Sequence, residues 1–227
     1  MKANGGEVVS IPLVEGFSTS TLIESLKDEN PSVKKSVDDA VSASISEHRE
    51  VFDAFEDAVG EAIRNTAKLI STTFSTGGKV LICGNGGSAA DAQHIAAEFV
   101  GRYETERIAL PAIALTTDTS ALTALANDYN FERIFARQVE ALGREGDCLI
   151  AISTSGNSPN VLAAVMAARS RGMKIVGFTG ANGKRLAGLS DVAIMVPSER
   201  TARIQEGHIT AGHIICELID LGTPQAE

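Results

Sequence analysis

The sequence predicts an α/β protein: a three-layer αβα sandwich around a five-stranded parallel sheet, preceded by a long N-terminal helical segment. Three observations predict it. Five short apolar runs recur after residue 78, near-continuous rather than alternating, as strands covered on both faces require. Helical stretches separate them, and βα alternation of this kind closes into a parallel sheet through right-handed crossovers. Before the first run, apolar residues recur every three or four positions for about forty residues, the helical period.

Taken in order, residues 1–33 read as an extension, a flexible leader or an intersubunit arm, in which Thr19 to Asp28 suits a short helix broken at Asn30-Pro31. From Val33 to Ser75 the pattern is helical, with Val37, Val41, Ile45, Val51, Phe52, Phe55, Val59, Ile63 and Ile70 spaced for one long helix or two consecutive ones. Apolar residues on more than one side of that rod predict packing against a second copy. Gly77-Gly78 ends the region, as Gly does just past a helix. Strands are expected at Lys79–Cys83, Ala112–Thr116, Asp147–Ile152, Lys174–Phe178 and Val192–Val196. Helices are expected at Ala89–Val100, Thr119–Asn127, Phe131–Leu142, Pro159–Arg171, Lys184–Leu189 and Thr201–Leu221. Residues 34–227 then make a single domain that includes its N-terminal helices.

Composition narrows the function classes. A length of 227 residues suits one domain. A formal charge of −9, no Trp and 4% aromatics speak against a nucleic-acid groove or base-stacking platform. No apolar run approaches a membrane span, and no basic segment leads into an apolar one near the N-terminus. Cys83, Cys148 and Cys216 stand far apart with no C-x-x-C pair, which reads as buried free thiols in a reducing, cytoplasmic setting.

Three stretches carry the chemistry. Gly84-Asn85-Gly86-Gly87 follows a strand and opens a helix that Ser88 is placed to cap, an arrangement that offers backbone N–H groups and a helix dipole to an anion. The stretch matches G-x-G-x-x-A, yet the second strand ends in Leu115-Thr116-Thr117 without the acidic residue a dinucleotide ribose needs. No Gly-Lys-Ser/Thr follows, which disfavours a P-loop. Within the helix, His94 and Glu98 are four apart, on one face and about 6 Å from each other.

The second stretch is Ser153-Thr154-Ser155-Gly156-Asn157-Ser158-Pro159, with Ser158 at N-cap and Pro159 at N1. Its hydroxyls and backbone N–H groups suit a phosphate monoester. The third is Arg203-Ile204-Gln205-Glu206-Gly207-His208-Ile209-Thr210-Ala211-Gly212-His213. Gln205 and His213 are offset by about 80° and about 12 Å of rise in an ideal helix, with His208 between them on the same broad face. Each alone is most simply a surface or core residue. To share one ligand, Gln205 and His213 need leaning side chains, a bend or unwound start near Gln205, or a neighbouring subunit.

Together these stretches resemble sugar isomerase (SIS) domains and, within them, the bacterial phosphoheptose isomerases, over roughly Lys34 to Leu221. The resemblance implies an aldose–ketose isomerase that converts sedoheptulose 7-phosphate to D-glycero-D-manno-heptose 7-phosphate through an enediol(ate), the first step towards ADP- or GDP-heptose. It implies a homotetramer with active sites at subunit interfaces and one Zn²⁺ per subunit held by His94, Glu98, Gln205 and His213. By the same match, Glu98 and His213 are the acid/base pair. Ser153, Thr154, Ser155 and Ser158 hold phosphate, while Asn85, Gly86, Gly87, Asn127 and Asp128, with Glu98 and Gln205, contact the sugar. A non-catalytic relative that binds a sugar phosphate or a replication-initiation protein is the alternative, and it has no need of the four-residue ligand set.

Overall fold

All five apolar runs become parallel strands, and their order in the sheet creates the crevice that the site occupies. The computed structural model describes residues 31–223. The expected helix at Thr19–Asp28, and all but the last three residues of the 1–33 extension, lie outside them. Two compact units part between Glu47 and His48. In the first, the described residues are helical, and Val37, Val41 and Ile45 form an exposed apolar stripe at i, i+4 and i+8.

The helical front region is two helices, α1 (Pro31–Asp53) and α2 (Phe55–Ser75), separated by Ala54. Helix α2 ends as its glycines predict. Gly77 has φ +78, its N–H bonds Phe74 O and the N–H of Gly78 bonds Thr73 O, closing a Schellman motif. There follow β1 (Val80–Gly84), α3 (Gly87–Val100), β2 (Ala112–Ala114), α4 (Thr119–Asp128), a 3₁₀ turn (Phe131–Arg133) and α5 (Ala136–Leu142). The chain continues through β3 (Cys148–Ile152), α6 (Pro159–Ser170), β4 (Lys174–Gly180), α7 (Lys184–Leu189), β5 (Val192–Val196) and α8 (Thr201–Gly222).

The sheet order is β2-β1-β3-β4-β5, parallel throughout. Alternate strand residues feed two cores. Val80, Ile82, Cys148, Ile150 and Ile152 pack with α2, α3 and α8. Leu81, Cys83, Leu149, Ala151 and Ile175 pack with α5, α6 and α7. The three cysteines are free and buried, and burial pushes the Cys83 and Cys216 thiols up to about 12.

Four local expectations are corrected. The predicted helix Phe131–Leu142 breaks after a single 3₁₀ turn, which Asn130 caps by accepting the Arg133 N–H at 3.1 Å. Strand β2 stops at Ala114; Leu115 still donates to Ile82 O, but Asp118 already caps α4 by accepting the Ala121 N–H. Strand β4 runs two residues past Phe178, because β5 pairs with it as far as Gly180. Helix α3 begins before Ser88, with Gly86 at N-cap; the φ of +56 at Gly86 turns the chain early, and Ser88 is buried in the first turn.

Candidate functional site

Strand order reverses between β1 and β3, so the loops leaving their C-terminal ends diverge and open a crevice, the usual ligand position in an open α/β sheet. The Asn85–Gly87 turn leaves β1 there and the Ser153–Ser158 loop leaves β3. The two are joined by side chains: the Asn85 amide donates to Asn160 Oδ1 at 2.9 Å, and Asn160 donates back to Asn85 Oδ1 at 2.8 Å. Two adjoining pockets flank the join. One of about 280 Å³ is lined by Asn85, Gly86, Thr116, Thr123 and Phe131, and one of about 480 Å³ by Asn85, Phe131, Glu132, Ser158 and Asn160.

The hydroxyl loop is held by its own backbone. Ser153 N–H bonds Phe178 O, Gly156 N–H bonds Ser153 O, and Gly180 N–H bonds Thr154 O. Ser158 takes the N-cap position, as expected, but its hydroxyl does not cap the helix. It lies 2.9 Å from Ser153 Oγ, and Ser155 Oγ accepts the Asn157 N–H. Ser153 is buried, Thr154 and Ser158 are half-buried and Ser155 is exposed at the mouth of the twelve-residue helix α6. Asn127 and Asp128 end α4, exposed and bonded to each other at 2.9 Å. Leu122, Thr123 and Ala126 of the same helix line the first pocket, and Asn127 and Asp128 do not.

Helices α3 and α8 run side by side in the same direction. A Cβ on Gly87 would collide with the Gln205 amide, and one on Gly212 would meet Ile95. The missing side chain at Gly212 lets the two helices approach closely, and their histidines meet. His94 Nε2 lies 3.1 Å from Glu98 Oε1 and 3.4 Å from His213 Nε2. Tyr103 stacks on His213, centroids 5.5 Å apart and planes 30° apart.

Three of the four expected metal ligands thus converge within one chain. Gln205 does not join them. Helix α8 is unbroken from Thr201 to Gly222, so no unwound start shortens its separation from His213, and its amide rests on Gly87, about 10 Å of helix rise from His94. Among the described residues, no group of three or more His, Cys, Asp and Glu side chains is placed to hold a metal ion as it stands. The pair separations nevertheless suit a tetrahedral ion. Ligands about 2.0–2.1 Å from zinc stand roughly 3.4 Å apart, against 3.4 Å for the two imidazole nitrogens and 3.1 Å for nitrogen to carboxylate. His94 and Glu98 also keep 47% and 23% of their side chains exposed, which leaves room for a substrate or a further ligand.

Sequence reasoning put His208 on the same broad face, but the helix packs it inward, edge-on to Phe178 at 5.6 Å and fully buried. Burial lowers its pKa to about 4. Asp91, one turn before His94, was not anticipated. Burial raises its carboxyl to about 6, with His94 pulling the other way, and its buried Oδ2 has no hydrogen-bond partner.

The end of α3 was missed as well. Arg107 donates Nε to Asp220 Oδ1 at 2.6 Å, Nη2 to Glu98 O at 2.7 Å and Nη1 to Phe99 O and Ile108 O. Asp220 on α8 also accepts the N–H groups of Glu104 and Thr105. The pair is buried, at 1% and 3% side-chain exposure, and clamps α3 to α8 just beyond the converging histidines. Arg107 lies in a loop and Asp220 near a helix end, so no periodicity marks them.

Comparison with known proteins agrees with this geometry. A SIS domain model matches residues 45–180. The phosphoheptose isomerase of Roseiflexus sp. (strain RS-1) is 64% identical over 154 residues, covering 68% of this chain and 78% of that protein. The solved phosphoheptose isomerase of Neisseria gonorrhoeae superposes with a TM-score of 0.77 at 47% identity, covering 82% of this chain and 99% of that one. That of Francisella tularensis gives 0.78 at 40% identity, covering 81% and 97%. The chain belongs to the SIS-domain family and, within it, to the phosphoheptose isomerases.

Proposed function

We propose that this protein is a phosphoheptose isomerase that interconverts sedoheptulose 7-phosphate and D-glycero-D-manno-heptose 7-phosphate. The observation that carries the reading is the meeting of Glu98, His94 and His213 on two helices, with the His94 imidazole within hydrogen-bond reach of both the Glu98 carboxylate and the His213 imidazole. Moving a carbonyl between C1 and C2 requires a base to take the proton from one carbon and return it to the other, and an acid to protonate the oxygens as the enediol forms and collapses. Glu98 is the base and His213 the acid in this proposal. The phosphate rests on Ser153, Thr154, Ser155 and Ser158 at the positive end of α6. The sugar lies along Asn85, Gly86 and Gly87, with Gln205 beside Gly87 and with Asn127 and Asp128 closing from α4.

His94, Glu98 and His213 would hold one Zn²⁺ per subunit. When bound, the ion would supply Lewis-acid polarisation of the carbonyl. Gln205, lying against Gly87 of its own chain, would have to come from a neighbouring subunit to complete that ligand set.

Assembly as a homotetramer with interfacial active sites has two supports. One is the exposed stripe Val37, Val41 and Ile45. The other is the distance along α3: His94 and Glu98 lie about 10 and 16 Å of helix rise beyond Gly87, which separates the acid/base groups from the sugar turn of the same chain. A cytoplasmic location fits three buried free thiols, and no described helix is long and apolar enough to cross a membrane.

The test is turnover of sedoheptulose 7-phosphate with and without added zinc. Turnover of that ketose, stimulated by the metal, is the expected result. Binding without turnover under both conditions would favour a non-catalytic sugar-phosphate receptor.

A further inference from the structure

Asn160 is a buried side chain that touches the sugar turn from the phosphate loop's side. It sits at the second position of α6, two residues after Ser158, and is 2% exposed. Its Oδ1 accepts two hydrogen bonds, from Asn85 Nδ2 at 2.9 Å and from its neighbour's backbone N–H, Val161, at 3.0 Å. Its Nδ2 donates to Asn85 Oδ1 at 2.8 Å.

These bonds fix orientation in sequence. A backbone N–H can only donate, so the Asn160 atom facing Val161 is the oxygen. With that amide set, Asn85 can satisfy it only by presenting Nδ2 to the oxygen and Oδ1 to the nitrogen. One N–H of Asn85 and one lone pair of its carbonyl then remain for a ligand, beside both pockets that Asn85 lines. Without Asn160, the Asn85 amide is free to flip and swing, and the turn loses this side-chain tie to the start of α6.

We propose that Asn160 is a positioning residue: through a reciprocal amide pair it sets the orientation in which Asn85 meets the sugar and locks the Gly-rich turn to the phosphate loop as one rigid receptor. The inference rests on the reading of this crevice as the sugar-phosphate site. It says nothing about the acid/base groups, so its signature belongs in KM.

The experiment is a double-mutant cycle in the full-length protein with Asn85→Ala and Asn160→Ala, measuring kcat, KM and Tm. Asn160→Ala alone is expected to raise KM about tenfold with kcat within about threefold of wild type, the scale of one or two well-made hydrogen bonds. In the Asn85→Ala background, the same substitution is expected to change KM less than about twofold, because a group acting only through Asn85 has nothing left to act on. Equal effects in both backgrounds, or no effect on KM in the wild-type background, overturn the proposal.

Should Asn160→Ala fail to fold, Asn160→Asp enters the same cycle. It keeps both accepted bonds and sets a carboxylate oxygen against Asn85 Oδ1 in place of the donated bond; the effect of its charge on the phosphate persists in both backgrounds and cancels, so the coupling that remains is the one with Asn85. A crystal structure of Asn160→Ala, or of Asn160→Asp if alanine does not fold, gives a reading that needs no substrate. A displaced or split Asn85 side chain supports the proposal, and an Asn85 held in its present rotamer overturns it. If wild type does not turn over sedoheptulose 7-phosphate, the functional reading fails separately, and that structure still decides the role of Asn160.

Discussion

At the scale of single residues, the site depends on a few side chains whose chemistry cannot be exchanged. Glu98→Gln removes the base while keeping size and hydrogen bonding. Turnover should fall by about 10²–10⁴-fold with little change in Tm; near-full activity would reassign the base. Gly87→Ala is expected to displace Gln205, because the added methyl occupies the space of its amide. A rise in KM without loss of helicity would be its mark. These residues differ in how readable they are. His94 and Glu98 announce themselves by their i, i+4 spacing, and the Ser/Thr loop by an excess of hydroxyls beyond what one cap requires. Asn160 does not, because a polar residue in the first turn of a helix is ordinary until its partner, 75 positions away, is seen. The inward turn of His208 was hidden for a related reason: helical spacing gives the angle between residues but not which face meets the sheet.

At the scale of elements, the α3–α8 pair is the working unit, and the Arg107–Asp220 clamp sets its far end. Burial alone would raise the Asp220 carboxyl. The Arg107 bond and the N–H groups of Thr105 and Glu104 outweigh it and hold the group below the usual carboxylate range. Asp220→Asn leaves a buried guanidinium without its counter-charge, a loss of about 3–5 kcal/mol by analogy with other broken buried pairs. Urea unfolding at pH 7 measures it, and a loss under about 1 kcal/mol would show that water reaches Arg107. Element types were legible because apolar runs and helical periods are strong signals. Boundaries were less so at Phe131–Leu142 and at β2, where tertiary pairing and Asn130 and Asp118 caps, rather than local hydrophobicity, decide where an element stops.

At the scale of the whole molecule, two bulk properties follow. The zinc proposed for this open, half-exposed site would be a functional rather than a folding metal. Chelation should therefore abolish most activity while the thermal transition moves by only a few degrees, and unfolding on chelation would contradict this. Acid should destabilise the protein through His208. Its folded pKa of about 4 lies below the ordinary value near 6.5, so the unfolded chain binds the extra proton and stability falls as pH drops from about 6.5 to about 4. The full effect is about 3 kcal/mol. Asp91, raised to about 6, acts in the opposite sense over part of that range. The clean measurement is thus the difference in unfolding free energy between wild type and His208→Gln at pH 7 and pH 4.5, which should shrink at the lower pH.

Strand β2 makes only three register pairs with β1 and forms one edge of the sheet. An exposed edge is where a foreign strand can add itself, and long, flat edges invite runaway polymerisation. Three residues give an incoming strand too few hydrogen bonds to hold a register. The same brevity that made β2 hard to delimit keeps this edge from templating fibrous growth, so association on this side falls to the helical surfaces, where side-chain fit rather than backbone pairing chooses the partner.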